Sequence, residues 1–514
     1  MGRSLARAAV FGCALAVVAP AVAVVCHPDL AGTKSVSLRG QVIAYRLAGR
    51  SVIVAIRSHS SCTTFTWRTR TNQLSRAASS CGAVIRAAKT VRRSRLVRLQ
   101  TASSIDSPDR LVVRRADGTS VHSWALPVRA SVPSLRVVGG LAAYRAVGGS
   151  GLYVTSVSDG RTTLVAPVAR GDQPVLGAAG VVFHDDVMKK RPAGAPLLKF
   201  VPRVVLEREL ADMAKPMTTV GPIRAISVDG TRVAVVVGGG GCDWVRIWNV
   251  AWRSAYQVSE DRGPTCDSLG ASGRISSIAL GGARMQWVTW VKGRAMVVAA
   301  DAIGCQEWVL ERLADAGTGT GLAGIAGGGG TLALALTQAG RPSVVAPVGI
   351  PRDTYRVARG WMVGGVVTGL AAERNVLAYT TNEGIVVRRA HGGPITTIAA
   401  AGVTSLAMSG NMVAATRGSG RLDVFSARSG RLLSSTLLPA GAGHVDLQYG
   451  IATVTAGDTV YGIDVHTGRT VRLVVAPAPV QAQIGSIGIV YAYSLRGHGI
   501  ARVIGMNAVE ARLR

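Results

Sequence analysis

The sequence predicts an all-β fold: a β-propeller of about ten or eleven four-stranded, blade-like repeats, arranged as two tandem propellers. Three observations predict it. Apolar residues fall in short blocks of four to eight, broken by Gly, Asp-Gly, Ser-Gly or Asn, which is a strand-and-turn rhythm and not a helical one. A hydrophobic-Ala strand recurs, with steps of 36, 38 and 40 residues between Ala378, Ala414, Ala452 and Ala492, and a period of about 20 to 50 residues marks a solenoid or propeller. Alternating strands also run into tight glycine turns at matching places in several units.

The hydrophobic-Ala piece follows a small turn. It occurs at Val42-Ile43-Ala44-Tyr45, Leu141-Ala142-Ala143-Tyr144, Val233-Ala234-Val235, Val376-Leu377-Ala378-Tyr379, Met412-Val413-Ala414 and Val490-Tyr491-Ala492-Tyr493. Upstream spacing is looser than in the C-terminal half, about 45 to 55 residues, as inserted loops would make it. The second piece is an alternating strand, a tight turn and another strand. Examples are Tyr153 to Arg161 through Asp159-Gly160, Leu422 to Phe425 into Ser429-Gly430-Arg431, and Tyr461 to Val465 into Thr467-Gly468-Arg469. Val112 to Thr119 ends the same way, at Asp117-Gly118. Glycine supplies the positive φ of these turns, and Asp, Ser or Thr before it bonds the turn backbone. Inner strand, middle strand, turn and outer strand together make one blade.

The best-formed turn is Asp464-Val465-His466-Thr467-Gly468-Arg469. On these residues the chain resembles the WD40-like and quinoprotein-like (YVTN-type) β-propeller repeat superfamily, in which Asp-x-x-Thr-Gly-Arg/Lys marks the turn between the third and fourth strands. The likeness covers most of the chain after about residue 35 and is one of fold. The Gly-His and Trp-Asp signatures of true WD40 blades are missing, so their hydrogen-bonded tetrad is not expected. Thr470, Val471, Arg472 and Leu473 stand where a quinoprotein repeat closes with Trp. No quinone, and no other cofactor, is expected.

A single propeller usually holds about four to eight blades. The expected organisation is therefore a leader over 24–34, N-terminal propeller repeats with loop insertions over 35–270, and C-terminal propeller repeats over 271–514. The Gly-rich stretch Gly263 to Gly273 marks the boundary. His184 to Pro222, with five prolines, reads as a long inserted loop, and Val204 to Ala214 as the best helical candidate or an outer strand.

Ahead of the repeats, Arg3 and Arg7 head an uncharged run from Ala8 to Val18, followed by Pro20 and Ala21-Val22-Ala23. A basic head, a short apolar stretch and an A-x-A site are the parts of a signal peptide, read here as residues 1–23. The run is short and Ala-rich for a membrane span of about 20 strongly apolar residues. An uncleaved anchor is the alternative. Of the seven cysteines, Cys13 leaves with the signal, and an even set remains for an oxidising compartment. Cys62 and Cys81 enclose Phe65 and Trp67, and Cys242 and Cys266 enclose Trp244 and Trp248, so the two pairs read as one local staple used twice. Cys26 and Cys305 remain as a pair by elimination. Zinc is not expected, because there is no C-x-x-C and no close His partner.

The net charge of +30 comes almost wholly from arginine and attracts anionic partners. Its densest run, Arg86 to Arg98, lacks the interleaved aromatics of a single-strand stacking surface, so specific nucleic-acid binding is not expected. Signatures of zinc proteases, hydrolase elbows and phosphate loops are missing. The clusters Gly238 to Gly241 and Gly327 to Gly330 read as blade-edge turns. His184-Asp185-Asp186 is a local His/carboxylate cluster, better explained as solvated loop residues, and Arg170-Gly171-Asp172 is a chance tripeptide in an Arg- and Gly-rich chain. The Trp244 to Trp308 cluster reads as packing between blades.

No catalytic, metal or cofactor residues are assigned. The expectation is an exported, non-catalytic binding or scaffold propeller, secreted or held at the cell envelope, whose partner is a protein or an anionic envelope polymer. Membrane contact is expected only through an uncleaved anchor. The alternative is a secreted hydrolase or lyase acting on an envelope polymer, with carboxylates or His lining the central channel. N-terminal sequencing of the exported chain is expected to start at Val24; a start at Met1 would establish the anchor instead.

Overall fold

The computed structural model describes residues 30–514 except for 90–95, 105, 148–150, 169–172, 186–196, 214, 240–241, 250–253, 258–273, 283, 292–293, 302–310, 316–321, 337–341, 350–355, 358–359 and 365. Among the described residues the chain forms eleven antiparallel sheets and three α-helices: α1 (Cys81–Lys89), α2 (Arg203–Asp212) and α3 (Met506–Leu513). Numbered along the chain, sheet 1 spans 41–76, sheet 2 97–125, sheet 3 136–167 and sheet 4 175–202. Sheets 5 to 8 span 223–257, 274–315, 322–363 and 370–398, and sheets 9 to 11 span 403–437, 445–475 and 480–505. Nine have four strands, sheet 2 has three and sheet 7 five.

Two sheets are completed by strands from elsewhere in the chain. Lys34–Ser37 pairs with Leu197–Pro202, Lys34 opposite Phe200, and so finishes sheet 4. Met217–Thr219 pairs with His498–Gly505, Met217 opposite Ala501, and finishes sheet 11. In sheets 5 to 11 the first strand of each sheet packs against the first strand of the next. Val480–Gly485 returns to Ile223–Asp229, which closes a ring. The expected boundary at Gly263 to Gly273 falls outside the described residues. Strand pairing groups the chain as 34–202 and 217–505, so sheet 5 travels with sheets 6 to 11 and not with sheets 1 to 4.

The stretch from His184 to Pro222 is not one loop. It holds the strand Leu197–Pro202, helix α2 and the closing strand Met217–Thr219. Pro202 is the N-cap of α2, where its missing N–H costs no helical hydrogen bond. Of the two readings of the stretch from Val204 the chain adopts the helical one, as α2 over Arg203–Asp212.

Each recurrent hydrophobic-Ala segment is a strand. In sheets 3, 5, 8, 9 and 11 it is the second strand from the inner edge, buried on both faces between neighbouring sheets. Ala142, Ala234, Ala378, Ala414 and Ala452 have no exposed surface. Turn glycines obey the same repetition. Gly160, Gly430 and Gly468, each between third and fourth strands, have φ of 72°, 69° and 73°. Their N–H groups donate to Ser156 O, Ser426 O and Asp464 O at 2.9, 2.8 and 2.8 Å. Gly327 and Gly328 are not turn residues but end the innermost strand of sheet 7. A Cβ on them would lie 2.1 Å from Leu280 O and 2.4 Å from Ala372 O, so glycine lets three inner strands converge. Trp248 and Trp287 are buried in core clusters, as packing required; Trp252 and Trp308 lie outside the described residues.

Helix α3 joins the two groups of sheets. Met506, Val509 and Leu513 are buried with Leu473, Ile489 and, from sheet 2, Ala125. Ala125 N–H donates to Asn507 Oδ1 at 2.6 Å, and Arg110 pairs with Glu510 at 2.5 Å. Helix α1 is held to sheet 1 by the Cys62–Cys81 disulfide and by Val84, fully buried against Ala44 and Ala55.

Overpacking a close-packed site costs about 1 to 3 kcal/mol. Ala414→Leu is therefore expected to lower stability by about that amount, read as a lower urea midpoint; Leu433→Ala, at an exposed position of the same sheet, is expected to leave the midpoint in place.

Candidate functional site: the channel of the seven-sheet ring

Sheets that meet side by side, without a shared backbone ladder, leave amides at the interface that need other partners. In this ring neighbouring side chains supply them. Leu280 N–H donates to Ser227 Oγ (2.9 Å), Ile275 N–H to Asp243 Oδ2 (2.8 Å) and Ile484 N–H to Asp446 Oδ2 (2.9 Å). Val228 N–H donates to Gln483 Oε1 (2.9 Å), Asn375 N–H to Thr331 Oγ1 (2.6 Å) and Tyr449 N–H to Ser409 Oγ (3.2 Å). At the two remaining interfaces the side chain is the donor, Gln286 Nε2 to Ala326 O (3.0 Å) and Thr368 Oγ1 to Val403 O (3.3 Å). Every interface of the ring carries such a bond.

The inner strands of all seven sheets enclose a channel of about 380 Å³. A wider cavity of about 910 Å³ opens onto it, sharing Ile325, Leu370, Leu406 and His444. The channel wall carries Asp229, Glu373 and Asp446 from sheets 5, 8 and 10, with Ser227, Gln481 and Gln483. A β-bulge after the first residue pair recurs in sheets 5, 6, 7 and 9. In sheet 5 the bulged residue is Arg224, whose guanidinium pairs with Asp243 at 2.8 Å.

Burial raises all three carboxyls. Glu373 is pushed up to about 7, first by burial and then by the Asp229 carboxylate, against the pull of Arg374 at 3.2 Å. Asp446 is pushed up to about 6 by burial, although Ile484 and Leu447 N–H both donate to it. Asp229 is raised by burial against hydrogen bonds from Gly282, Gly329 and Gly330 N–H. His444, at the channel mouth with Nδ1 3.0 Å from Ser405 Oγ, is held below its usual range by burial, so its imidazole is neutral at pH 7. Two of the three carboxylates thus serve as acceptors for backbone amides of the next sheet.

Of the candidate cysteines, Cys62 and Cys81 are joined in a disulfide. Cys242 lies in the strand Cys242–Asn249; Cys266, Cys26 and Cys305 lie outside the described residues. His184 and Asp185 end the strand Gly180–Asp185 and do not start a loop; Asp186 and Arg170-Gly171-Asp172 lie outside the described residues. The channel acids were not singled out from the sequence. They stand 144 and 73 positions apart and share no motif. Their one local signal is an acid ending an apolar strand, as in Ile226-Ser227-Val228-Asp229. Among the described residues no three His, Cys, Asp or Glu are grouped to hold a metal ion.

No family model matches the chain, and no curated protein matches it. Among solved structures the chain is similar to Hsv2 of Kluyvelomyces marxianus at 12% identity and a TM-score of 0.38, covering 53% of this chain and 90% of that one. It is similar to the WD40 β-propeller domain of Doa1 at 12% identity and a TM-score of 0.38, covering 55% and 92%. It is also similar to BamB from Moraxella catarrhalis at 12% identity and a TM-score of 0.35, covering 54% and 82%. The resemblance is one of propeller fold.

A carboxyl raised in the folded state keeps a proton that the unfolded chain has released. For Glu373 this holds between about pH 4.5 and 7, so stability falls as pH rises through that window, by up to about 3 kcal/mol. Glu373→Gln is expected to flatten this fall and raise the melting temperature at pH 8. An unchanged pH profile of unfolding would show that Glu373 titrates normally.

Proposed function

We propose that this chain is an exported, non-catalytic β-propeller that acts as a binding or scaffold module at the cell envelope or outside the cell. The observation that carries this reading is the employment of the channel acids. Asp229 and Asp446 accept backbone amides from neighbouring sheets, so their oxygens hold the ring together. Binding then falls to the connecting loops and the wide cavity at the channel mouth, where loops of several sheets converge. We further propose two propellers, 34–202 and 217–505, bounded by the two closing strands. The export reading brings with it cleavage after Ala23 and disulfides Cys242–Cys266 and Cys26–Cys305. The partner is a protein or an anionic envelope polymer.

One observation favours the enzyme alternative. Glu373 is pushed to about 7 beside two other carboxyls, which suits a general acid of a hydrolase or lyase. Incubation of purified protein with labelled anionic envelope polymers separates the readings. Saturable binding with unchanged polymer length is expected, equally for the parent and Glu373→Gln. Polymer shortened by the parent and left intact by the variant would establish the enzyme.

A further inference from the structure

Half of the protein's net charge sits in a fifth of its length. The first 105 residues carry sixteen Lys and Arg against one acid, Asp29. From residue 30 to 105 there are fourteen Lys and Arg and no Asp or Glu, whereas the other 409 residues mix 42 basic with 27 acidic ones. A chain-wide preference for arginine would leave acids interspersed here too. The depletion is local.

Sheet 1 turns this stretch into a surface. Strand register sets Arg57 opposite Cys62, Arg76 opposite Phe65 and Arg68 opposite Ser51. Cross-strand partners share a face and successive residues alternate, so Arg57 and Arg68 stand on one face of the sheet and Arg76 on the other. Arg76 belongs to Gln73–Arg76, the free outer edge of the sheet. Arg39 lies at one end of the sheet, and Arg50 and Arg70 lie in turns at the other. All six side chains are exposed, and none forms an ion pair among the described residues.

Exposed guanidiniums on both faces of one sheet, with no acid in the same stretch, fit a string of anions that wraps the sheet's outer edge. Each guanidinium offers a planar fork that matches phosphate or carboxylate. Stacked bases find no platform, since Trp67 is fully buried and Phe65 half-buried. A bilayer surface finds little to insert, Leu74 being the exposed large apolar residue on that edge strand. We propose that the arginine-bearing outer part of sheet 1 is a docking surface for a flexible linear polyanion bearing phosphate or carboxylate groups. The proposal rests on the binding-module reading and gives that module its partner and its surface.

The test is fluorescence anisotropy of labelled polyphosphate and of poly-glutamate with the full-length protein across a salt series. Arg57→Gln/Arg68→Gln/Arg76→Gln is compared with Arg428→Gln/Arg431→Gln/Arg472→Gln, which removes the same charge from exposed positions on sheets 9 and 10. The sheet 1 triple is expected to weaken both polymers about tenfold and to lower the salt slope by about two to three. The control triple is expected to stay within about twofold of the parent, and Arg→Lys changes at 57, 68 and 76 to restore binding to within about threefold. Equal losses in both triples, or failure of the lysine triple to restore binding, overturn the proposal. So does tighter binding of single-stranded DNA or of phosphatidylglycerol vesicles through the same arginines. Gel analysis of the recovered polymer keeps the two readings apart. Shortened polymer contradicts the non-catalytic reading and leaves the docking surface standing, whereas intact polymer with equal losses does the reverse.

Discussion

A ring of sheets has a problem that a stack of hydrogen-bonded strands does not. Each sheet satisfies its own backbone, but the strands that converge on the axis meet neighbours with which they share no ladder. An amide buried there without a partner costs about 1 to 3 kcal/mol. At five of the seven interfaces the chain answers with side-chain acceptors, Ser227 and Asp243, Thr331, Ser409, Asp446 and Gln483, and at the other two Gln286 and Thr368 donate to a carbonyl of the next sheet. Those bonds fix the distance between neighbouring sheets, and the distance fixes much else. Glycine at 327 and 328 follows from it, because a Cβ there would collide with the backbone of the neighbouring inner strands.

The same constraint governs the chemistry of the channel. Carboxylates placed to receive amides are drawn into a narrow space lined by seven strands, where water is scarce and other acids are near. Their protons are held more tightly in consequence, and the Asp229 carboxylate in turn adds to the burial that raises Glu373. A perturbed acid is often taken as the mark of an active site. Here two of the three have a structural employment that accounts for their position, and the perturbation follows from it.

The sequence made the strands legible because their cues are local. Hydrophobic-Ala segments, and glycines preceded by Asp, Ser or Thr, need only adjacent residues to be recognised, and they fell on strands and on third-to-fourth-strand turns. The Cys62–Cys81 staple was legible for the same reason, its two cysteines lying 19 residues apart. Closure was not legible. Nothing in Met217-Thr218-Thr219 says that its partner begins at Gly499. The channel acids were hidden in the same way, since only the ring brings residues 229, 373 and 446 to one axis. Proline content misled in the other direction: five prolines between His184 and Pro222 suggested a loop, yet Pro202 serves as the cap of a helix.

The two strands that close the sheets have a consequence in time. Synthesis runs from the N-terminus, so Lys34–Ser37 and Met217–Thr219 are made long before the strands they complete. The second must wait for some 280 further residues, and until then sheet 11 does not exist and sheet 5 has no neighbour on one side. Late, long-range pairing slows folding, and the exposed edges it leaves are templates for wrong partners. Helix α3, which follows the partner strand His498–Gly505, packs against sheet 2. A form truncated before residue 498 would leave Met217–Thr219 without its partner strand and would lack the contact of α3 with sheet 2.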